Sequence, residues 1–215
     1  MEEPVGTTAQ QGDRGSAPRP TLELGRVRLR PVTPADYTWL FALETDPAVI
    51  YRWRLQGITP SPEQFQRHLW QTTLCQFIVE ERVNKWPVGL VMAYAADHVN
   101  QLAHIGFVSD PRFAQTGLAT DGMRLFIDYL FMLWSFRKLY GESVSYNFEQ
   151  FSPENPRLDV EGLFRVEGVL RDHTYFAGQY WDKFIVSISR DDWTKHREVV
   201  FNDVEYKASY RATTR

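Results

Sequence analysis

Hydrophobic positions recur along this chain with two periods, and each change of period marks a new element. In LELGRVRLRPV the apolar residues Leu22, Leu24, Val27 and Leu29 predict a strand with an irregularity at its glycine, stopped by Pro31. Thr33-Pro34-Ala35-Asp36 then presents an N-cap with proline at the first helical position, and Leu40, Phe41 and Leu43 supply that helix with a buried face up to Asp46-Pro47. Ser61-Pro62-Glu63-Gln64 repeats the start signal before Phe65, Leu69 and Trp70. Three strand-like runs follow, QFIVEERV, PVGLVMAYA and LAHIGFVS, parted by short polar stretches that suit antiparallel hairpins. In GLATDGMRLFIDYLFMLW the period lengthens: Leu118, Leu125, Phe126, Tyr129, Leu130, Leu133 and Trp134 share one helical stripe. KLYGESVSY, LFRVEGVLRDHTY and YWDKFIVSIS return to strands, the last two joined as a hairpin near Phe176-Ala177-Gly178-Gln179.

This order predicts an α/β (α+β) fold. Its mixed, mostly antiparallel sheet of about seven strands is flanked by helices, with one parallel helical crossover between the fourth and fifth strands. At 215 residues the chain suits a single domain with a sizeable core. Residues 1–20 are too rich in Gly, Pro, Ser, Thr, Gln and charge to offset the entropy of ordering, and predict a disordered tail. The expected domain then spans residues 21–194, with a C-terminal extension over 195–215.

Composition narrows the partners. No apolar run approaches bilayer length, so no membrane association is expected. A net charge of −3 and an isoelectric point near 6.0 create no field favouring nucleic acid or anionic lipid, so an anionic ligand must find local positive charge. Cys75 is the only cysteine, and no CxxC pair or His/Cys cluster has metal-ligand spacing; no metal is expected. The polar start MEEPVGTTAQ lacks the apolar core of a secretory signal, and the default setting is cytoplasmic.

The segment between the first two helices, IYRWRLQGITP, mixes aromatics, arginines and glycine and is a candidate ligand-facing loop. A second lies at the crossover. There the strand ending near Ser109 meets PRFAQTGLAT, where unpaired backbone N–H groups and the positive end of a helix dipole converge. Such a spot can bind a pyrophosphate, but a lone Gly117 equally permits a tight strand-to-helix turn.

Several separate segments together carry a family likeness. RVRLRPVTPADYTWLFAL, ETDPAV, PVGLV, AHIGFV, GLATDGMRLFIDYLF and GLFRVEGVLRDHTYFAGQYWDKFIVSISRDDW, in this order from about residue 22 to 193, resemble the GNAT superfamily of acyl-CoA N-acyltransferases. Within it they are most similar to the branch typified by the RimJ/RimL ribosomal-protein N-acetyltransferases. The resemblance implies acetyl-CoA or another acyl-CoA as co-substrate, with its pyrophosphate on the loop amides of Gln115, Thr116, Gly117, Leu118, Ala119 and Thr120. Ala114 stands where the family has Gln or Arg, and Arg112 is a candidate for that missing phosphate contact. Phe107, Val108 and Ser109 would pair their backbone with the pantetheine arm, and Asn147 would lie near the reacting end. Pro153 and Pro156 interrupt the helix that usually follows Asn147.

Acyl transfer to an amine needs a neutral nucleophile and a proton for the departing thiolate. His104 occupies the position where the family often has a glutamate base, and alternation groups it with Gly106 and Val108, opposite Ala103, Ile105 and Phe107. Glu142 and Glu149 are alternative bases, Tyr146 and Ser152 candidate acids. By the same resemblance Trp53, Arg54 and Tyr180 border the acceptor. The lone cysteine lies in an apolar run, which disfavours a covalent thiol intermediate. The expected activity is therefore direct N-acetyl transfer to a small-molecule amine, such as an amino sugar or natural-product intermediate. The alternatives are a peptide acceptor at a protein N-terminus and a non-catalytic acyl-CoA-binding protein; a homodimer is compatible with each.

Overall fold

The computed structural model describes residues 22–148 and 163–201. The predicted tail over 1–20, both interrupting prolines, and the candidates Glu149 and Ser152 lie outside the described residues.

Among the described residues one sheet of eight strands carries the molecule. LELGRVRLRPV forms two strands rather than one, because Gly25 at φ 49° turns the chain between β1 (Glu23–Leu24) and β2 (Val27–Pro31). The strands β3 (Thr73–Glu81), β4 (Pro87–Asp97) and β5 (Leu102–Ser109) extend it as antiparallel neighbours. Helix α3 (Leu118–Leu133) crosses over, and β6 (Lys138–Val144) pairs with β5 in parallel. The crossover thus joins the fifth and sixth strands, one later than expected, for the same Gly25 reason. After the short α4 (Ser145–Phe148), β7 (Arg165–Phe176) and β8 (Gln179–Ser189) close the order β1-β2-β3-β4-β5-β6-β8-β7. Their hairpin turns at Ala177 and Gly178, both at positive φ, the geometry a two-residue turn needs to match strand twist.

Each sheet face has its own core. On one side α1 (Tyr37–Thr45) and α2 (Pro62–Leu69) bury Leu40, Leu43, Phe65 and Leu69 against Ile78, Leu90 and Val108. Their starts are built as the sequence predicts, with one refinement: Thr33 opens a 3-10 turn, Pro34–Asp36, that leads into α1, while Ser61 caps α2 reciprocally with Gln64. Arg30 reaches from β2 to clamp the Asp36 carboxylate at 2.8 and 2.9 Å, and also pairs with Glu80 on β3. This explains the Arg-Pro and following Asp of the sequence pattern as a strap between sheet and helix. Trp70, predicted with Phe65 and Leu69, is exposed, because α2 ends one residue before it.

On the other side α3 buries Leu118, Leu125, Phe126 and Leu130 as predicted, but Leu133 is exposed, whereas Ile127, Asp128 and Phe131 are buried. The reason is α5 (Arg190–Val200), which covers a second face of α3. Trp193 and Arg197 both donate to Asp128, at 2.9 Å and 2.6 Å, and Phe201 is buried edge-on against Trp193. Helix α5 runs without interruption from Arg190 to Val200, across residue 194.

Candidate active site

The site arises from a failure of strand pairing. β5 and β6 are in register only from Leu102 to His104, against Lys138 to Tyr140. Beyond His104 they diverge, so the β6-facing edge of Ile105–Ser109 has no partner strand among the described residues. A cavity of about 920 Å³ fills the divergence, walled by Ile105–Ser109 of β5 and by Leu139, Gly141, Glu142, Ser143 and Val144 of β6. An open ladder edge is a template for any extended chain carrying amide groups.

The connection between α1 and α2 forms the outer wall through Tyr51, Arg52, Trp53 and Arg54, as the sequence predicts for this aromatic and basic segment. Two contacts hold it. Trp53 lies on Gly106 of β5, where an added Cβ would fall 2.8 Å from the indole Cη2. Arg54 makes a two-pronged pair with Glu44 at 2.6 and 2.7 Å, and Glu44 is fully buried at the end of α1. Burial pushes the Glu44 carboxyl up from its ordinary value despite the opposing Arg54 guanidinium. Glu44 opens the ETDPAV segment, but the sequence alone did not single it out as a site residue. The available signal was a charged residue on the buried stripe of a helix, followed by an arginine ten positions on.

Across the gap, Glu142 lines the cavity and pairs with Lys183 of β8 at 3.1 Å. Tyr94, also lining, has its phenol pushed up by burial and then by the Glu142 charge. His104 is not in the wall. Register sets its ring between Tyr94 on β4 and Tyr140 on β6, with centroids 5.5 and 5.6 Å away, and its buried Nδ1 has no partner among the described residues. The predicted alternation of β5 is observed, since Ile105 and Phe107 face the α3 core while Val108 faces the α1 and α2 core.

The Tyr146 hydroxyl donates to the Tyr51 carbonyl at 2.9 Å and its ring packs on Phe176 and Trp181. Tyr180 is 63% exposed, packed edge-on against its cross-strand neighbour Tyr175 and absent from the cavity lining. Asn147 does line the cavity, with its Oδ1 buried and without a partner among the described residues.

The loop AQTGLAT starts α3 with Gly117 as N-cap in the left-handed region, φ 82°, where glycine carries no steric penalty. Gln115, which takes the place of a common family glycine, also sits at positive φ, 65°, and bears the strain of a side chain there. The amide of Thr116 is satisfied by Phe113 O at 3.2 Å and that of Leu118 reaches Thr116 Oγ1 at 3.4 Å. The amides of Gln115, Gly117, Ala119 and Thr120 meet no acceptor among the described residues. Arg112 folds back on Asp110 through contacts of 2.7 to 3.0 Å. A further cation arrives from elsewhere. Arg26, in the β1–β2 turn, donates to Thr116 O at 2.9 Å and stands beside the free amides. Ninety residues separate the two in sequence, so no motif could have joined them.

These features fit acetyl-CoA on three counts: an unpaired strand edge, an unpartnered Asn147 oxygen, and a helix start with free amides and a nearby cation. Among the described residues no group of His, Cys, Asp or Glu is arranged to hold a metal ion, and no helix is long and apolar enough to cross a membrane.

Comparison with known proteins gives the class. Residues 26–151, more than half of the chain, match the acetyltransferase (GNAT) domain, and the chain belongs to this family of acetyl-CoA-dependent N-acetyltransferases. Among curated relatives, spermidine N(1)-acetyltransferase of Escherichia coli K12 is 24% identical over 163 residues, covering 72% of this chain and 81% of the relative. The crystal structure of spermidine N-acetyltransferase from Vibrio cholerae in complex with CoA and spermine superposes with a TM-score of 0.67 at 19% identity, over 79% of this chain and 98% of that one. A chimera of the V. cholerae enzyme with hSSAT gives 0.65 at 20% identity, over 79% and 99%. The GNAT resemblance of the sequence is thereby established, although the relatives are spermidine rather than ribosomal-protein acetyltransferases.

Proposed function

We propose that this chain transfers the acetyl group of acetyl-CoA to the primary amine of a small molecule, by direct attack of the amine through a tetrahedral intermediate. The observation that carries the reading is the unpaired edge of Ile105–Ser109 opening on a cavity of about 920 Å³. A cleft of this size suits a drug-sized molecule. The names of the relatives support a small-molecule acceptor over a protein N-terminus.

Acetyl-CoA supplies an activated acyl group, and the protein supplies position and a base. Gln115, Gly117, Ala119 and Thr120 would receive the pyrophosphate on their amides, Phe107, Val108 and Ser109 the pantetheine arm, and Asn147 its reacting end. A lysine-like amine with pKa about 10.4 costs about 4 to 5 kcal/mol to neutralise at pH 7, so a base near the nucleophile is needed. Glu142 is better placed than His104, because it lines the cavity while His104, set between the Tyr94 and Tyr140 rings, does not. Direct attack is supported by Cys75, whose thiol burial pushes up to about 11 and so keeps unreactive at neutral pH.

The test is amine-dependent release of the CoA thiol, measured for the wild type, Glu142→Gln and His104→Ala. Glu142→Gln is expected to lower kcat by about 10²- to 10⁴-fold with CoA affinity unchanged. CoA binding without amine-dependent release would make the chain a binding protein on an acetyltransferase fold.

A further inference from the structure

The charges around the acceptor end of the cavity differ from what a polyamine needs. Of the described lining residues, Arg52, Arg54 and Lys183 carry positive charge and only Glu142 carries negative charge. Two of the cations are already answered: Arg54 by the buried Glu44 behind the wall, and Lys183, whose side chain is only 13% exposed, by Glu142. That leaves Arg52. Its guanidinium lies 5.9 Å from the Tyr146 ring centre and has no carboxylate partner among the described residues.

The backbone beside Arg52 is held in place. Tyr146 donates to the carbonyl of neighbouring Tyr51, and the Tyr51 ring packs on Phe176 of the β7–β8 hairpin at 5.0 Å. Arg52 belongs to the α4 and hairpin side of the cavity, whereas the pyrophosphate loop is braced from the β1–β2 turn by Arg26. Tyr51, Trp53 and Tyr94 add aromatic surface to the same lining as Arg52 and Glu142.

We infer that the acceptor is a small primary amine that also carries an anionic group, a carboxylate or a phosphate, which Arg52 binds while the amine faces Glu142. This rests on the acetyltransferase reading above. A polyamine meets the opposite field: its further ammonium groups would face Arg52 and Lys183, while Glu142, the one carboxylate among the described lining residues, faces the reacting amine. A planar guanidinium suits carboxylate and phosphate alike through paired hydrogen bonds.

The experiment compares thiol release from acetyl-CoA across amines of one chain length: the aminoalkyl carboxylate, the aminoalkyl phosphate, the amino alcohol and the diamine, together with spermidine and a short peptide. The carboxylate or the phosphate is expected to exceed the amino alcohol in kcat/KM by about tenfold or more, with diamine and spermidine below it. Whichever of the two anions leads identifies the group. Arg52→Ala is expected to raise KM for that anion about tenfold, to level the series and to leave the Kd of CoA unchanged, with Arg52→Lys keeping part of the preference. Preference for spermidine, the diamine or the peptide overturns the inference and leaves the transferase reading intact. So does an Arg52→Ala variant that weakens CoA or slows every amine alike. Silence towards every amine, with CoA still bound, overturns both.

Discussion

The indole of Trp53 lies close enough to Gly106 that a single methyl group at residue 106 would sit 2.8 Å from its Cη2. This contact sets the distance between the acceptor wall and the strand whose edge is open for the cofactor. Gly106→Ala is therefore expected to push the wall outward, destabilising the fold by about 1 to 3 kcal/mol and raising the acceptor KM more than the Kd of CoA. Thermal denaturation and steady-state kinetics of the variant check both parts. An unaltered acceptor KM would mean that the wall absorbs the methyl group without moving.

Arg26 offers the phosphate-side charge that Ala114 lacks, while Arg112 pairs with Asp110. Arg26→Ala is expected to weaken CoA binding by about five- to tenfold while leaving the binding of pantetheine, which lacks the pyrophosphate, as it is. Calorimetric titration with the two ligands separates a phosphate contact from a mere brace on the Thr116 carbonyl, which would affect both or neither.

Cys75 is inert by placement. Burial holds its thiol at about 11, far above the usual thiol value, so the thiolate is scarce at neutral pH. Alkylation of the native protein is expected to be slow at pH 7 and to accelerate as the pH rises towards 11. Cys75→Ser is expected to leave amine-dependent thiol release unchanged. Loss of release in a folded Cys75→Ser variant would reinstate a covalent intermediate.

Acid stability turns on the strap between β2 and α1. Burial alone would raise the Asp36 carboxyl, but the Arg30 guanidinium and the Thr33 amide and hydroxyl outweigh it and hold it below the ordinary value. A carboxylate depressed in the folded state contributes stability that is full above its unfolded pKa, about 3.9, and is lost as pH falls through its lower folded value. Asp36→Asn should therefore lower stability at pH 7, by an amount that shrinks as pH falls below about 4. Denaturant unfolding of both proteins between pH 2 and 7 measures this, and parallel curves would remove Asp36 from the acid transition.

What the sequence discloses follows the range of its signals. Caps, turns and alternation act over a few residues, so the Ser61 cap, the turn at Ala177-Gly178 and the alternation through Ile105 were all legible. The α3 stripe was legible only in part, because α5 arrives from sixty residues away and buries Ile127 and Phe131 against expectation. The candidate site divides in the same way. Residues in contiguous segments, Trp53, Arg54, Phe107, Val108, Ser109 and Asn147, do line the cavity. His104 and Tyr146 were singled out by residue type and position in a motif, which carry no information on the Tyr94 and Tyr140 rings or the Tyr51 carbonyl that occupy them. Arg26 at the loop and Lys183 beside Glu142 depend on pairings across ninety and forty-one residues. Only the folded sheet brings them together.

The central claim is that transfer takes place where β5 and β6 part. A crystal structure with acetyl-CoA bound tests it most directly. The account predicts the pantetheine arm along the open edge of Ile105–Ser109, the pyrophosphate at the Gly117 helix start, and the acetyl group on the side of Glu142 and Tyr94. An arm lying elsewhere, with that edge unengaged, or an acetyl group turned away from Glu142, would contradict it.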